Sequence, residues 1–157
     1  MSTQNHPDKT IKQEADQSFA VCPACGYEHP FLSLPILFLS GPSGVGKSTI
    51  GLRLLRETKG LIVIETDIFW IEPLHNDTEL RWELMLRVAK NAMQSGQLVI
   101  MVGTALPQHH TNSSEKRYFS DMHYLALVCD DQLLENRLKA RPEWRGCGTA
   151  DYITPQL

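Results

Sequence analysis

Four short apolar runs divide the chain from residue 36 onward. They cover residues 36–39, 61–64, 98–102 and 124–128, and they are apolar at nearly every position. Continuous apolar runs of this length, rather than alternating ones, indicate strands that are buried on both faces. Three of the runs end at Gly, Ser or acidic residues, where a strand would turn. The pattern predicts four strands of a parallel sheet.

Helical periodicity fills the gaps between these runs. Residues 47–56 have helical character and are followed by Gly60, which suits a C-terminal cap. After Asn76 and Glu79, which resemble a capping pair, apolar residues recur at helical spacing as far as Gly96. A further helix begins at about residue 133. Strands alternating with helices predict an α/β fold in three layers, with a mostly parallel sheet flanked by helices.

The first 33 residues do not follow this alternation. Residues 1–18 are mostly polar and are predicted to be a disordered tail. Residues 19–33 hold a Cys-x-x-Cys segment that resembles a metal-binding knuckle. The sequence therefore predicts a tail (1–18), a knuckle-like segment (19–33) and one folded domain (34–157).

Composition and charge limit the classes of partner. A chain of 157 residues with 42% hydrophobic residues suits a single globular domain. A formal net charge of −3 gives no field that favours nucleic acid or an anionic membrane, so we expect neither partner. No signal-peptide pattern is present, and the longest apolar stretch is too short to span a bilayer. We expect a cytoplasmic protein of undetermined oligomeric state.

The strongest motif lies between the first apolar run and the helix that follows it. Its eight residues match the spacing G-x-x-x-x-G-K-[ST] of a P-loop: Gly41, Pro42, Ser43, Gly44, Val45, Gly46, Lys47 and Ser48. Amides of such a loop face phosphate oxygens, and the helix dipole favours the same charge. We expect Lys47 to reach the β and γ phosphates of ATP, Ser48 to bind Mg²⁺, and Thr49 to add an amide or hydroxyl. The alternative is a glycine-rich turn without a ligand.

With this loop, residues 34–157 resemble the shikimate, gluconate and nucleotide kinase branch of P-loop proteins, and especially small bacterial nucleoside-kinase-like ATPases. The resemblance implies the P-loop NTPase fold and a kinase that uses ATP and Mg²⁺ to phosphorylate a small molecule, with a nucleoside or nucleotide as first guess. Glu65-Thr66-Asp67 is similar to the acidic end of the second strand in that branch. We assign Asp67 to acceptor positioning or general-base catalysis. The alternative is an aspartate that caps the next loop.

Arginines near the end of the chain resemble those that approach the lid in these kinases. The resemblance implies that Arg137 binds the nucleotide and that Arg141 stabilises charge during transfer. An ordinary solvated helix face is the alternative for both, and for Arg145 it is the preferred interpretation.

Two features depart from the branch. The third strand ends at Gly103-Thr104 without the aspartate that often holds Mg²⁺ through water, so we expect Asp67 or the nucleotide to compensate. The resemblance also implies a further strand and helix after Leu157, and we expect the domain to lack them here.

The pair Cys22 and Cys25 resembles half of a zinc ribbon, with His29 as a third ligand. Zinc needs four ligands, so His6, Cys129, Cys147 or another chain would have to complete the site. The alternative is a reduced surface pair.

Aromatic and basic residues follow Asp67: Phe69, Trp70, Arg81, Trp82 and Arg87. They could stack a base or sugar and hold a substrate anion, but core aromatics and a charged outer helix face are the preferred interpretation. Two rivals to the kinase hypothesis remain, namely a non-kinase nucleotide-binding or ATP-hydrolysing module and a zinc-knuckle interaction protein.

Overall fold

The computed structural model describes residues 9–15, 17–72, 74–145 and 147–156. The strands are β1 (Thr10–Gln13), β2 (Ser18–Val21), β3 (Glu28–Phe31), β4 (Ile36–Ser40), β5 (Leu61–Glu65), β6 (Leu98–Val102) and β7 (Met122–Ala126). The α-helices are α1 (Lys47–Glu57), α2 (Thr78–Met93), α3 (Asp131–Lys139) and α4 (Ala150–Ile153). Short 3₁₀ helices cover Thr66–Phe69, Pro107–His110, Ser114–Tyr118, Glu143–Arg145 and Thr154–Gln156.

Four strands form the predicted parallel sheet, in the order β5-β6-β4-β7. β4 pairs in parallel with β6 on one side and with β7 on the other, and β6 pairs in parallel with β5. Because the strands are parallel, their carboxyl ends meet at one edge of the sheet. That edge carries both the glycine-rich loop after β4 and the acidic residues at the end of β5.

In the central strands β4 and β6, the continuous apolar runs arise because helices cover both faces of the sheet. The edge strand β7 was also expected to be buried on both faces, and this was wrong: it has a neighbour on one side only, and its Leu125 is 63% exposed. In β6, Val99 and Met101 pack with the buried side of α2, whereas Ile100 and Val102 pack on the opposite face with Leu54 of α1. A strand with two covered faces has no position at which a polar side chain would reach water. The α/β prediction, with helices flanking a parallel sheet, is therefore confirmed.

Two element boundaries differ from those predicted. β7 begins and ends two residues earlier than the apolar run, because Ala126 pairs with Ser40, the last residue of β4, and Val128 has no partner there and is exposed. At α2, Asp77 rather than Asn76 caps the helix, and its side chain accepts a hydrogen bond from the Leu80 amide at 2.9 Å.

The three remaining strands form a separate antiparallel sheet in the order β1-β2-β3. β1 lies within the segment predicted to be a disordered tail, and residues 1–8 of that segment lie outside the described residues. Pairing with β2 satisfies the backbone of β1, and Lys12 forms an ion pair with Glu28 of β3 at 3.1 Å. A polar composition therefore did not prevent a strand from forming here.

This small sheet is joined to the parallel-sheet unit through Gln94, at the end of α2. Its side-chain oxygen accepts from the Leu32 amide at 2.9 Å, and its nitrogen donates to the Leu32 carbonyl at 3.2 Å. None of the helices in the described ranges has the length and apolarity needed to cross a bilayer.

Candidate functional site

The loop of residues 41–48 joins β4 to α1, as the motif predicted. Its first glycine is required by both conformation and space. Gly41 has φ +143°, and a Cβ there would lie 2.5 Å from the carbonyl oxygen of Leu127. Because L side chains rarely adopt such a φ and the contact is with backbone, any larger residue would push the loop away from the end of β7.

Lys47 folds back over this loop. Its Nζ donates to the carbonyl oxygens of Gly41 at 2.8 Å and Pro42 at 2.9 Å. The pKa of Lys47 is lower than its ordinary value, mainly because the side chain is buried. The charges of Asp67 and Glu65 raise this pKa, whereas the charge of Arg141 lowers it. The ammonium group is thus held beside the loop, where it interacts electrostatically with Asp67, Glu65 and Arg141.

A cavity of about 620 Å³ opens at the carboxyl edge of the sheet. It brings together most of the predicted site, including Ser43, Lys47, Ser48, Thr49, Asp67 and Arg141. The cavity extends beyond the loop toward Trp70, Arg81 and His109. One continuous space therefore contacts both the P-loop motif and the residues around the start of α2.

Glu65, the last residue of β5, is a further candidate site residue, to which the sequence pattern alone assigns no role. Its Oε2 accepts a hydrogen bond of 3.1 Å from the hydroxyl of Ser48, at the start of α1. The sequence signal for Glu65 is its position at the end of the apolar run that forms β5, because side chains at the carboxyl ends of parallel strands face the crevice where such sheets bind ligands.

The two arginines of the α3 region occupy different places. Arg141 lines the cavity, and its Nη1 donates to the hydroxyl of Ser43 at 3.2 Å. Arg137 donates from Nη1 to the carbonyl of Val45 at 3.2 Å and is not among the described residues that line the cavity. Arg137 supports the loop from outside, so its contact with a nucleotide stays a prediction. The Arg145 side chain lies outside the part of the chain that the structure describes.

An unpredicted contact occupies the loop itself. The amide of Ser43 donates to the side-chain oxygen of Gln156 at 2.9 Å, across 113 residues of sequence. Like a phosphate oxygen, the carboxamide oxygen of Gln156 accepts a hydrogen bond from a backbone N–H group. A loop amide is thus already aimed at an acceptor oxygen.

The aromatic and basic residues between Asp67 and the end of α2 were expected to be core aromatics and a charged outer helix face, and only some of them are. Trp82 is buried in the core, as expected, and Arg87 is exposed on the outer face of the helix. Arg81, in contrast, is buried, and Trp70 is 54% exposed at the cavity. The expectation of a charged outer face was wrong for Arg81.

Cys22 and Cys25 lie in the turn between β2 and β3. Hydrogen bonds from the backbone amides of Ala24 and Cys25 lower the pKa of the Cys22 thiol. The nearby His29 ring contacts Tyr27, with ring centroids 4.6 Å apart. Over the described ranges, no group of three or more His, Cys, Asp or Glu side chains is placed to hold a metal ion, so the zinc hypothesis is unsupported. His6 lies outside those ranges.

Comparison with solved structures supports the fold assignment. A sugar kinase from Janibacter sp. HTCC2649 matches with a TM-score of 0.59 and 16% identity over 80% of this chain and 76% of its own. The protein APE1195 matches with a TM-score of 0.56 and 15% identity, over 78% and 76% of the two chains. A chain of the Pnkp1/Rnl/Hen1 RNA repair complex matches with a TM-score of 0.54 and 16% identity, over 79% of this chain and 43% of its own.

No protein-family model matches the sequence, and no curated protein sequence matches it significantly. At identities of 15–16%, the structural matches establish a shared α/β architecture. The function must therefore be argued from the site.

Proposed function

We propose that this protein is an ATP-dependent phosphotransferase that moves the γ-phosphoryl group of ATP to a small molecule, with nucleosides and nucleotides as the first acceptors to test. One observation carries the proposal. A single cavity is lined by five of the eight residues of the P-loop motif, including Lys47 and Ser48, and also by Asp67, which lies beyond the loop. Binding of a triphosphate requires only the loop, whereas transfer also requires a group that handles the acceptor hydroxyl.

The loop suits a polyphosphate. The Ser43 amide already donates to the side-chain oxygen of Gln156, which a phosphate oxygen would replace. The Lys47 ammonium lies beside the loop carbonyls, from which it would turn toward phosphate oxygens. Arg141 lies on the cavity side of Ser43. Its planar guanidinium group would bind phosphate oxygens and stabilise charge that develops during transfer.

Ser48 and Glu65 suit Mg²⁺. A hydroxyl and a carboxylate at hydrogen-bonding distance provide the oxygen ligands that this ion prefers, directly or through water. When bound, Mg²⁺ would neutralise phosphate charge. The sequence predicts that Asp67 or the nucleotide replaces the missing aspartate after β6 in holding Mg²⁺. Glu65 is better placed, because it already contacts the Ser48 hydroxyl.

Asp67 is assigned to the acceptor. In the transfer step, the acceptor oxygen forms a bond to the γ-phosphorus while the bond from phosphorus to the β–γ bridging oxygen breaks, and ADP leaves. The proton of the acceptor hydroxyl passes to the Asp67 carboxylate. Lys47 and Arg141 offset the negative charge on the departing ADP and the moving phosphoryl group.

Three variants test the proposal by nucleotide titration and by ADP release with a panel of nucleosides, nucleotides and sugars. Lys47→Ala should weaken ATP binding at least about tenfold, because a charge-assisted contact is lost. The exposed Lys59→Ala is the matched control. Asp67→Asn should bind Mg²⁺-ATP normally and lose transfer, whereas Glu65→Gln should raise the Mg²⁺ concentration required.

The outcomes separate the proposal from its rivals. ATP binding with ADP release that no acceptor increases would indicate a nucleotide-binding or hydrolysing module. Unchanged turnover in Asp67→Asn would refute the assigned base. Absence of Mg²⁺-dependent triphosphate binding in the unmodified protein would refute the proposal as a whole.

A further inference from the structure

Arg81 is a buried cation that forms no ion pair with a carboxylate in the described part of the chain. It lies in the first turn of α2 and is 7% exposed. Within the described residues, its side-chain hydrogen bonding is limited to a long contact from Nη1 to the Leu74 carbonyl, at 3.4 Å. A guanidinium group has five N–H donors, so most of its donor capacity is not used by the protein.

Aromatic rings hold this guanidinium in place. Its central carbon lies 4.1 Å from the centroid of the Trp70 ring and 5.7 Å from that of Trp82. Such contacts stabilise a cation and orient its plane, but they leave the N–H groups at the edge of the plane available. The side chain is therefore fixed before any ligand arrives.

Arg81 lines the part of the cavity that lies beyond the loop. Trp70, Arg81, Trp82 and His109 line the same space as Asp67 and Lys47. Burial and the charge of Arg81 lower the pKa of His109, which disfavours a second positive charge here. Arg81 is the permanently charged member of these four side chains.

A buried charge with few hydrogen bonds is unfavourable unless something compensates for its lost hydration. Oxygens of an anionic ligand would supply both the opposite charge and acceptors for the unused N–H groups. A neutral hydroxyl would supply less, because it carries no charge and the hydrogen bond is weaker. The site thus favours an anion over a neutral polar group.

We propose that Arg81 binds an anionic group of the acceptor substrate, a phosphate monoester or a carboxylate, and so positions its hydroxyl near Asp67. The inference rests on the proposed kinase function and narrows its acceptor to small anionic alcohols. It also gives Arg81 a role that the structural contacts with Trp70 and Trp82 do not require.

The test measures ligand binding to the full chain by calorimetry, with the loop filled by Mg²⁺ and a non-hydrolysable ATP analogue. The probes are inorganic phosphate, D-ribose 5-phosphate, D-gluconate and neutral D-ribose. We expect an anionic probe to bind at least about tenfold more tightly than D-ribose. Tighter binding of the phosphate probes or of D-gluconate would identify which anion the site prefers.

Variants connect that preference to one side chain. Arg81→Gln should remove the anion preference and change affinity for the ATP analogue by less than about twofold, since the loop is a separate part of the cavity. Arg87→Gln, at an exposed arginine on the same helix, should change neither. If Arg81→Gln unfolds, Arg81→Lys keeps the charge and should retain the anion preference with weaker binding, because the planar geometry is lost.

The proposal fails if neutral and anionic probes bind alike, if none binds, or if the preference survives in Arg81→Gln. Any of these results would make Arg81 a structural cation held by Trp70. Failure of the ATP analogue to bind the unmodified protein would instead refute the kinase function. In that case the same anion titrations, made without the analogue and compared between the unmodified protein and Arg81→Gln, would still decide the role of Arg81.

Discussion

Replacement of Gly103 by alanine should damage the fold at the edge of the site. Gly103 follows β6 and packs against Thr66, which follows β5. A Cβ at position 103 would lie 1.6 Å from Oγ1 of Thr66, 2.8 Å from its Cβ and 2.9 Å from its Cγ2. Thr66 is buried, so its side chain has little room to turn away. The backbone at Gly103, after β6, or at Thr66, after β5, must therefore move.

The expected cost follows from this overlap. Inserting one methyl group into a packed interior costs about 1–3 kcal/mol, and contacts this short place Gly103→Ala at the upper end, about 3 kcal/mol. Urea unfolding would measure the loss. The control is Gly148→Ala, where the nearest contact of an added Cβ among the described residues is the Lys139 Cα at 3.9 Å. Turnover should fall as well, because Thr66 lies between Glu65 and Asp67.

A double variant tests the cause. Thr66→Ala removes the Oγ1 and Cγ2 atoms but leaves a Cβ at 2.8 Å, so it should rescue Gly103→Ala only in part, with a coupling of about 1 kcal/mol. Strictly additive losses, or a Gly103→Ala protein as stable as Gly148→Ala, would show that the overlap with Thr66 does not control this position.

Two further predictions concern single contacts. Gln156→Ala frees the Ser43 amide, so nucleotide binding measured by calorimetry should tighten by up to about fivefold, the equivalent of one hydrogen bond of about 1 kcal/mol; weaker binding would contradict this. Burial, with His109 and Lys116 nearby, lowers the pKa of His110 from 6.5 to about 4. Between pH 6.5 and about pH 4, His110 is protonated in the unfolded chain but not in the folded protein. The free energy of unfolding should therefore fall as the pH falls, by about 2 kcal/mol between pH 7 and pH 5. Urea unfolding at pH 7 and pH 5 should show a smaller loss in His110→Phe, and an equal loss would refute the assignment.

The parts of the molecule that the sequence predicted are those that depend on local pattern. In the central strands β4 and β6, a continuous apolar run follows from two covered faces, so this part of the parallel sheet was predictable from the sequence. The loop after β4 was predictable because its eight residues are contiguous. Asp67 followed from its place after a strand, and it lines the cavity with Lys47 as that placement implied.

The parts that were missed depend on which distant residues meet. Glu65 contacts Ser48, and Gln156 contacts Ser43, only because the folded sheet and the chain after α3 bring them together. Helical periodicity assigned Arg81 to an outer face, but the segment before α2 folds back so that Trp70 and Leu74 cover it. β1 was missed because a short polar strand forms only when β2 is present to pair with it.

The same contacts explain why the carboxylate beside Ser48 comes from β5 rather than β6. Residues that follow β6 are engaged in hydrogen bonds to the end of β4 and the first residue of the loop. The Gly103 amide donates to Leu39 at 3.1 Å, the Thr104 hydroxyl to the Gly41 carbonyl at 3.4 Å, and the Ala105 amide to the Ser40 hydroxyl at 3.1 Å. A carboxylate at position 103 would also collide with Thr66, since even a Cβ does. Glu65, at the end of the neighbouring strand β5, makes its side-chain hydrogen bond to Ser48 instead. The longer side chain of glutamate helps it to reach Ser48 across the width of β6.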